Sequence, residues 1–424
     1  MRDPRSARAL RRGGGLVTAG LTTVNLTGYL LAVLAARRLG PAAYGELTAL
    51  LGGLLVACVP ALAAQAVVAR SMARRPVGEP VGPRERALLG RCTAVAGALT
   101  VAGLVLAPLF AAFVHTGIAG PLWVAAQLGP FVLLSAVMGL LQGAQRFTAL
   151  AVVLGAQGLG KVVGLAPLLL HGGPADVLAG LGLGTVGAMV VALLLLGRGA
   201  AGPAPRDLPG RRELTTAVGG LLALLVLANL DLLVARHLLP AGETGRYSVG
   251  LVLAKASFWL PQGLVVVLYP RLTDPVASAA VLRRAVAVVA ALGLLELGGA
   301  LLLAGPVLRL VFGAPYASLG GLAPLWVVQG TALAVVQLVV YASIASRDRS
   351  TGRLIAGACV VEAVVLIATR PTTVAPVITL ATTLAVVLGL TLLLRSGGLR
   401  ANQCPAASQV RPTPTLTSSG TDSG

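Results

Sequence analysis

The chain of 424 residues is 56% hydrophobic and only 11% charged, and its mean hydropathy of +0.89 excludes an ordinary soluble domain. Its formal net charge of +19 raises the alternative of nucleic-acid binding. We reject that alternative because the arginines are spread over many loops and no aromatic-interleaved basic element accompanies them. The composition predicts a membrane protein that contacts lipids and has no nucleic-acid partner.

Twelve apolar runs follow one another along the chain, and each is long enough to cross a hydrocarbon core, which takes about 20 residues. The runs lie near residues 14–36, 47–69, 92–114, 121–144, 147–170, 174–197, 214–235, 247–269, 283–304, 320–344, 353–369 and 372–394. The first run is too long for a signal peptide, and we expect it to be retained as a membrane helix. The fold class predicted is therefore an all-α polytopic membrane protein of about 12 transmembrane helices.

The arginines alternate between the two sides of these spans. Twenty-five of the 31 lie in the N-terminus, the even-numbered loops and the tail. The odd-numbered loops hold only Arg37, Arg38, Arg236, Arg246, Arg309 and Arg370. The positive-inside rule places the arginine-rich side in the cytoplasm. We predict a multi-pass protein of the cell (cytoplasmic) membrane with both termini cytoplasmic.

The chain also repeats itself after six spans. The segment Leu34–Gly45 is similar to Leu233–Gly242, and each joins the first two helices of a six-helix half. Because six is even, the halves share one orientation, as in parallel repeats around an axis along the membrane normal. Chance similarity in Ala- and Leu-rich sequence is the alternative. Two such bundles can rock against each other with a substrate site between them.

The repeat and the loop composition predict the domain organisation. We expect a cytoplasmic N-terminus (1–13), an N-terminal six-helix bundle (14–197), a cytoplasmic linker (198–213), a C-terminal six-helix bundle (214–395) and a disordered cytoplasmic tail (396–424). No loop is long enough for a catalytic domain, no phosphate-binding GxxxxGK[ST] motif is present, and the cysteines and histidines lack metal-ligand spacing. We predict no enzymatic activity, no cofactor and no metal site.

Ionisable residues inside the spans are the functional candidates, because each is costly in a membrane. Lys255 in the eighth span shares a predicted helical face with Tyr247, Phe258, Gln262 and Tyr269. Aromatic and amide groups around one mobile cation suit the headgroup of a lipid pyrophosphate with attached sugars. The alternative is a set of paired charges that lock helices together.

Two further polar stripes support a cavity. Gln157, Lys161 and Gly164 in the fifth span lie at spacing i, i+4 and i+7. The first span carries a similar stripe, made of Thr18, Thr22, Asn25 and Tyr29. Polar stripes of this kind face either protein or a watery cavity, and helix–helix hydrogen bonding explains them equally well. Three stripes spread over both halves favour a substrate-binding cavity.

Three carboxylates are candidates for coupling or gating. Asp231 and Lys255 lie in the outer parts of consecutive antiparallel spans, which predicts a salt bridge that incoming phosphate would break. Asp231, Glu296 and Glu362 are alternatively predicted to bind a proton or Na⁺ that drives transport. Asp231 is the preferred candidate.

Five segments, in order along the chain, resemble the polysaccharide and O-antigen flippases of the multidrug/oligosaccharidyl-lipid/polysaccharide (MOP) exporter superfamily. They are Ala36–Gly45, Leu141–Phe147, Ala241–Tyr247, Leu268–Leu272 and Val311–Tyr316. The resemblance implies two six-helix bundles around a central cavity and export of undecaprenyl-pyrophosphate-linked oligosaccharide, the repeat unit of a polysaccharide, by alternating access. It also implies a monomer, working alone or with polysaccharide-synthesis enzymes.

The alternative function on the same fold is an ion-coupled drug antiporter of the multidrug and toxic-compound extrusion (MATE) type. That function predicts an acidic, aromatic cavity for cationic cargo, whereas this chain is 4% aromatic and places two lysines within spans. A saccharide polymerase or ligase would need a long outer loop with catalytic groups. A scaffold in an envelope-synthesis complex is the remaining alternative.

Overall fold

The computed structural model describes residues 4–72, 83–196, 211–259, 278–346 and 350–401, and every regular element in these ranges is helical. The N-terminal half contains α1 (Pro4–Ala57), α2 (Val59–Met72), α3 (Pro83–Phe113), α4 (Ala119–Gly143), α5 (Phe147–Val163), α6 (Ala166–Leu169) and α7 (Pro174–Leu196). The C-terminal half contains α8 (Arg211–Leu238), α9 (Ala241–Trp259), α10 (Ser278–Val311), a 3₁₀ helix (Ala314–Leu322), α11 (Ala323–Ser346), α12 (Ser350–Thr369) and α13 (Val374–Ala401).

The helices confirm the predicted all-α polytopic fold. Within the described residues, 9 helices are long and apolar enough to cross a membrane. This number is lower than the twelve predicted spans for three reasons. The helix α1 contains the first span and the beginning of the second, α8 is only partly apolar, and the description of α9 stops at Trp259.

The first two spans meet at a sharp bend in α1. Gly40 has φ of 73° and ψ of 174°, a conformation that glycine adopts at no steric cost because it lacks a Cβ atom. Pro41 follows at the first position of the next helical segment, where its missing N–H has no helical partner to lose. The sequence Gly-Pro therefore both ends the first span and begins the second.

Two spans predicted as continuous helices are interrupted. The second span breaks at Cys58, two residues before Pro60, so it consists of the end of α1 and the helix α2. The fifth span breaks after Val163 and continues as the short helix α6, which has Pro167 in its first turn. Proline removes a backbone donor and crowds the preceding turn, which explains both breaks.

Each half packs around one central helix. α4 contacts α1, α2, α3, α5 and α7, while α11 contacts α8, α9, α10, α12 and α13. The buried share of residues was taken over the most apolar 18-residue stretch of each candidate span. It is 72% for the span of α4 and 67% for the span that contains α11, against 17% for α3 and 6% for α10. Because the fourth and tenth spans hold equivalent central positions, the structure shows two bundles related by a six-span repeat.

The sequence repeat is clearest in these central helices, in a motif that our sequence comparison missed. α4 contains Pro121-Leu122-Trp123-Val124 and α11 contains Pro324-Leu325-Trp326-Val327, each in its first turn. The third and ninth spans also correspond, since Pro108 in α3 and Pro306 in α10 both precede the helix end by the same distance.

The two bundles meet tightly at one end of the molecule, which we call the distal end because it lies beyond the bend at Gly40, away from the start of α1. Here α1 packs on α8 and α9. Gly45 and Gly245 face each other so closely that a Cβ atom on Gly245 would overlap the backbone of Pro41. Beside them, the hydroxyl oxygens of Thr48 and Ser248 lie 2.6 Å apart.

The chain end differs from the prediction. α13 continues to Ala401, so the tail predicted from residue 396 is helical over its first residues. The remainder of that tail, and the predicted linker up to residue 210, lie outside the described residues.

The glycine contact at the distal end gives a stability prediction. Gly245→Ala places a methyl group against the backbone of Pro41 and forces the bundles apart, whereas Gly242→Ala on the same helix meets open space. We expect Gly245→Ala to lower the free energy of unfolding by about 1–3 kcal/mol, as other overpacking changes do, and Gly242→Ala to have little effect. Thermal unfolding of the purified protein in detergent measures both. Equal stabilities would contradict the close packing of α1 and α9.

Candidate functional site: a cavity between the two bundles

A cavity of about 440 Å³ lies between the two bundles. α1, α4, α5 and α7 supply its wall on the N-terminal side, and α9 with Leu232 of α8 supplies the other side. Its volume is in the range of sites that hold a drug-sized ligand or a headgroup with a sugar. Since both bundles contribute side chains, any movement of one bundle against the other changes the shape of this cavity.

The cavity closes toward the distal end and opens toward the start of α1. At its distal roof, Tyr44 is 1% exposed and Ser248 is 2% exposed. At its other end, Asn25 is exposed and Trp259 is 38% exposed. Among the described residues, the lining is therefore buried at the distal end and accessible at the end nearer the start of α1.

Five of the six residues predicted to bind substrate line this cavity: Asn25, Tyr29, Gln157, Lys161 and Lys255. The sixth, Gln262, lies outside the described residues, as does Tyr269 of the same predicted stripe. Each predicted stripe therefore contributes some of its members to one cavity, whereas others do not line it: Thr18, Thr22, Gly164, Tyr247 and Phe258. Their role in binding remains a prediction.

Lys161 is held at the cavity wall by the backbone of α1. Its ammonium group donates a hydrogen bond of 2.9 Å to the carbonyl oxygen of Val24. The helix that carries it, α5, is fixed on α7 by the close approach of Gly160 and Gly184, neither of which has room for a Cβ atom. One carbonyl satisfies only part of an ammonium group, which has three donors, so Lys161 can also bind a ligand.

Lys255 approaches the cavity from the other bundle. Its ammonium group donates to the side-chain oxygen of Asn229 at 3.3 Å. The amide nitrogen of Asn229 in turn donates to the carbonyl of Leu225 at 2.8 Å, which fixes the orientation of the amide. Lys255 is therefore positioned by a neutral partner, and its charge is not cancelled by direct contact with a carboxylate.

The predicted aromatic face of the eighth span is corrected by the structure. Tyr247 and Phe258 are buried inside the C-terminal bundle, at 0% and 4% exposure. The face of α9 toward the cavity instead carries Ser248, Val252, Lys255 and Trp259. With 100° of rotation per residue, Lys255 lies about 80° around the axis of α9 from Tyr247. This rotation places Lys255 at the edge of the buried face, from where its side chain reaches the cavity.

The predicted salt bridge between Asp231 and Lys255 is absent from the described residues, so that prediction is wrong. Asp231 is fully buried and accepts hydrogen bonds from the Tyr247 hydroxyl at 2.7 Å and the Gln329 amide at 2.8 Å. The backbone N–H of Leu232 donates to its other oxygen at 2.7 Å. Neutral donors thus occupy Asp231 and connect α8 with α9 and α11, while Lys255 interacts with it without contact.

The other two carboxylates occupy different environments. Glu362 on α12 is 2% exposed, and its Oε2 atom has no hydrogen-bond partner. Glu296 on α10 is only partly buried, and its charge lies close enough to act on Tyr29. Neither side chain lines the cavity as described.

Sequence reasoning missed several polar residues of the cavity wall: Thr48, Gln127, Thr185 and Ser248. Gln127 follows the Pro-Leu-Trp-Val motif of α4 and donates to the carbonyl oxygens of Trp123 and Leu178 at 3.0 and 3.2 Å. The repeated motif points only to the neighbourhood of Gln127, since Gln127 lies six residues after Pro121 whereas Gln329 lies five residues after Pro324. The described lining holds two lysines and no carboxylate.

These features define a class of protein: a polytopic membrane protein of two repeated helical bundles with a cavity between them that is open on one side. Comparisons with known proteins agree with this class. No family model matches the chain, and no curated protein sequence matches it. Several solved structures do match over most of its length.

One similar structure is a MOP superfamily transporter from Pyrococcus furiosus, described as having a binding pocket of reverse polarity that suggests a different function. It shares 16% identity over 93% of this chain and 95% of its own, with a TM-score of 0.61. The eukaryotic MATE transporter AtDTX14 shares 13% identity over 93% and 99% of the two chains, with a TM-score of 0.58. A multidrug resistance MATE family transporter in its inward-facing conformation shares 13% identity over 88% and 94%, with a TM-score of 0.62. The chain therefore has the fold of the MOP superfamily transporters.

The contacts of Asp231 predict that it is mainly structural, unlike the two lysines. Asp231→Leu leaves the Tyr247 hydroxyl and the Gln329 amide without an acceptor, and each unpaired buried group costs about 1–3 kcal/mol. We expect a large loss of thermal stability for Asp231→Leu in purified protein. Lys161→Met and Lys255→Met, which change the cavity wall, are expected to lose little stability. A loss for Lys255→Met as large as that for Asp231→Leu would contradict this assignment.

Proposed function

We propose that this protein is a transporter that flips an undecaprenyl-pyrophosphate-linked oligosaccharide across the cell membrane by alternating access. The observation that carries the proposal is the polarity of the cavity: Lys161 and Lys255 project from opposite bundles, and the described lining contains no carboxylate. A cavity with two lysines and no carboxylate in its described lining favours an anionic cargo.

A pyrophosphate fits this arrangement chemically. It offers several anionic oxygens, and hydrogen bonds between ammonium groups and phosphate oxygens are short and roughly twice as strong as neutral ones. One lysine from each bundle allows a single headgroup to contact both moving parts. Asn25, Gln157 and Gln127 supply amides, and Tyr29 and Trp259 supply aromatic surface, for the attached sugars.

The proposed direction of transport follows from the arginine distribution. With both termini in the cytoplasm, the open end of the cavity faces the cytoplasm, where the cargo would enter. Arginine-rich loops on that side would concentrate anionic lipid headgroups. The polyprenyl chain would stay in the bilayer while the headgroup passes through the cavity.

The three carboxylates remain candidates for coupling to a proton or Na⁺. Asp231 was preferred from the sequence, but its oxygens accept hydrogen bonds from three donors. Glu362 is now the stronger candidate because its buried Oε2 lacks a partner, and a proton or cation would supply one. Glu296 is a weaker candidate because it is only partly buried.

The second candidate function, antiport of cationic drugs, follows from the MATE transporters among the similar structures. Two lysines in the cavity would repel such cargo, and the described lining offers no carboxylate to attract it. The polarity of the cavity therefore supports the flippase over the drug antiporter.

The two lysines provide the test of the proposed cargo. In cells that lack this protein, undecaprenyl-pyrophosphate-linked saccharide should accumulate, and the wild-type chain should clear it. Lys161→Ala and Lys255→Ala should each slow clearance about tenfold or more, since a hydrogen bond to a charged group contributes about 1.5–3 kcal/mol. The measurement is the amount of lipid-linked saccharide in membrane extracts.

Two controls sharpen this experiment. Val252→Ala changes an apolar residue of the same cavity wall and should clear the lipid normally. Lys255→Arg should retain part of the activity because it keeps the positive charge. If no lipid-linked saccharide accumulates in the deletion strain, the flippase proposal is wrong, and efflux of cationic drugs becomes the next assay.

Glu362 provides a separate test of ion coupling. Glu362→Gln removes the charge with little change of shape, so transport in proteoliposomes should lose its dependence on a proton or Na⁺ gradient while cargo binding remains. Gln157→Ala, on the opposite bundle, is the comparison that should affect binding but not gradient dependence. Gradient-dependent transport by Glu362→Gln would exclude Glu362 as the coupling residue.

A further inference from the structure

Two arginines at the distal end hold the bundles together in a reciprocal manner. Arg37 belongs to the N-terminal half, and its guanidinium donates through Nε to the carbonyl oxygen of Val311 at 2.7 Å and through Nη2 to that of Leu310. Both carbonyls terminate α10 of the C-terminal half. Arg37 thus caps a helix of the opposite bundle.

Arg236 makes the corresponding contact in the other direction. It belongs to the C-terminal half and donates through Nε to the carbonyl of Val114 at 2.8 Å and through Nη2 to that of His115 at 3.2 Å. These carbonyls follow the end of α3 in the N-terminal half. Each arginine therefore uses the same two types of nitrogen on two successive carbonyls across the boundary.

The repeat relates the two contacts. Arg37 and Arg236 hold the same position in the repeated segments Leu34–Gly45 and Leu233–Gly242. Their acceptor helices, α3 and α10, are the third helices of the two halves. The two contacts are thus equivalent under the six-span repeat, and each crosses from one half to the other.

The chemistry suits a closure that can be made and broken. The last carbonyls of a helix have no partner within the helix and lie at the negative end of its dipole, and the planar guanidinium fork matches two of them at once. Water can replace either partner when the bundles separate, so opening does not leave a buried charge unpaired.

Neighbouring groups reinforce each contact. The ring of His237 stacks on Phe113 and His115 with centroid distances of 4.7 and 5.2 Å. On the Arg37 side, the hydroxyl of Tyr316 donates to the carbonyl of Ala36 at 3.3 Å. Arg236 is buried, at 6% exposure, whereas Arg37 is exposed.

We propose that Arg37 and Arg236 form a reciprocal clasp that holds the outer end of the transporter closed and stabilises the conformation open to the cytoplasm. Loss of either arginine shifts the protein toward the outward-open conformation. The proposal uses only the alternating-access part of the proposed function, and its tests need no substrate, so failure of the flippase assay leaves it unaffected.

The direct test is the accessibility of a cavity cysteine from outside the cell. Leu51→Cys places a thiol on the cavity wall in a chain whose Cys58, Cys92, Cys359 and Cys404 are replaced by serine or alanine. A membrane-impermeant maleimide is added to intact cells. We expect Arg37→Ala and Arg236→Ala each to accelerate labelling about three- to tenfold, with the larger effect for Arg236→Ala. The acceleration in the double variant should approach the product of the two single accelerations.

The adjacent Arg38 supplies the matched control, because it is exposed and no hydrogen bond of its side chain occurs in the described ranges. Arg38→Ala removes the same charge and should leave the labelling rate unchanged. Labelling of the solubilised protein is measured in parallel and corrects for differences in the amount of folded protein. Rates for Arg37→Ala and Arg236→Ala equal to that of Arg38→Ala would overturn the clasp. Faster labelling only from the cytoplasmic side would overturn its assignment to the outer face.

A crosslink provides an independent measurement. The Thr48→Cys and Ser248→Cys pair, whose native oxygens lie 2.6 Å apart, should form a disulfide readily when the clasp is intact. The Arg37→Ala, Arg236→Ala double variant should lower the crosslinked fraction several-fold. An unchanged fraction would overturn the proposal.

Discussion

The cost of placing charge within a hydrocarbon layer is the constraint on which this structure depends. A lysine near the middle of a membrane helix costs about 2.5–3.5 kcal/mol even on insertion scales. Lys161 and Lys255 meet this cost in the same way: each faces the cavity between the bundles and is anchored by a single neutral oxygen, from Val24 and Asn229 respectively. Their charges are thereby kept available in the cavity between the two halves of the protein.

The six-helix repeat provides the second organising feature. It places α4 and α11 at the centres of their bundles and gives the distal end two equivalent contacts between arginine and helix end. A repeat in one orientation relates the bundles by an axis along the membrane normal, and the cavity lies between them. The close glycine contact at Gly45 and Gly245 lets this distal closure exclude solvent from the roof of the cavity.

The sequence predicts the helices and the cavity because a membrane strongly restricts which residues a spanning segment can contain. Long apolar runs specify helices, and lone lysines in such runs point to a cavity, while the sidedness that the arginines indicate stays a prediction. Local geometry is harder to foresee. The orientation of α9, which buries Tyr247 against Trp326 of α11 and turns Lys255 toward the cavity, depends on packing between helices, which the periodicity of one span does not report. Similarly, antiparallel adjacency suggested an ion pair for Asp231, but Gln329 from a distant helix supplies its partner instead.

The central claim, an anionic cargo in a cationic cavity, is tested most directly by equilibrium binding to the purified protein in lipid nanodiscs. The ligands are an undecaprenyl-pyrophosphate-linked saccharide, the same saccharide on a neutral polyprenyl lipid, and a hydrophobic cationic dye. A cationic cavity for an anionic cargo should bind the pyrophosphate lipid tightly, with an affinity that falls as salt rises. The neutral lipid should bind weakly, and the dye should not compete. Binding of the dye in preference to the pyrophosphate lipid would contradict the central claim.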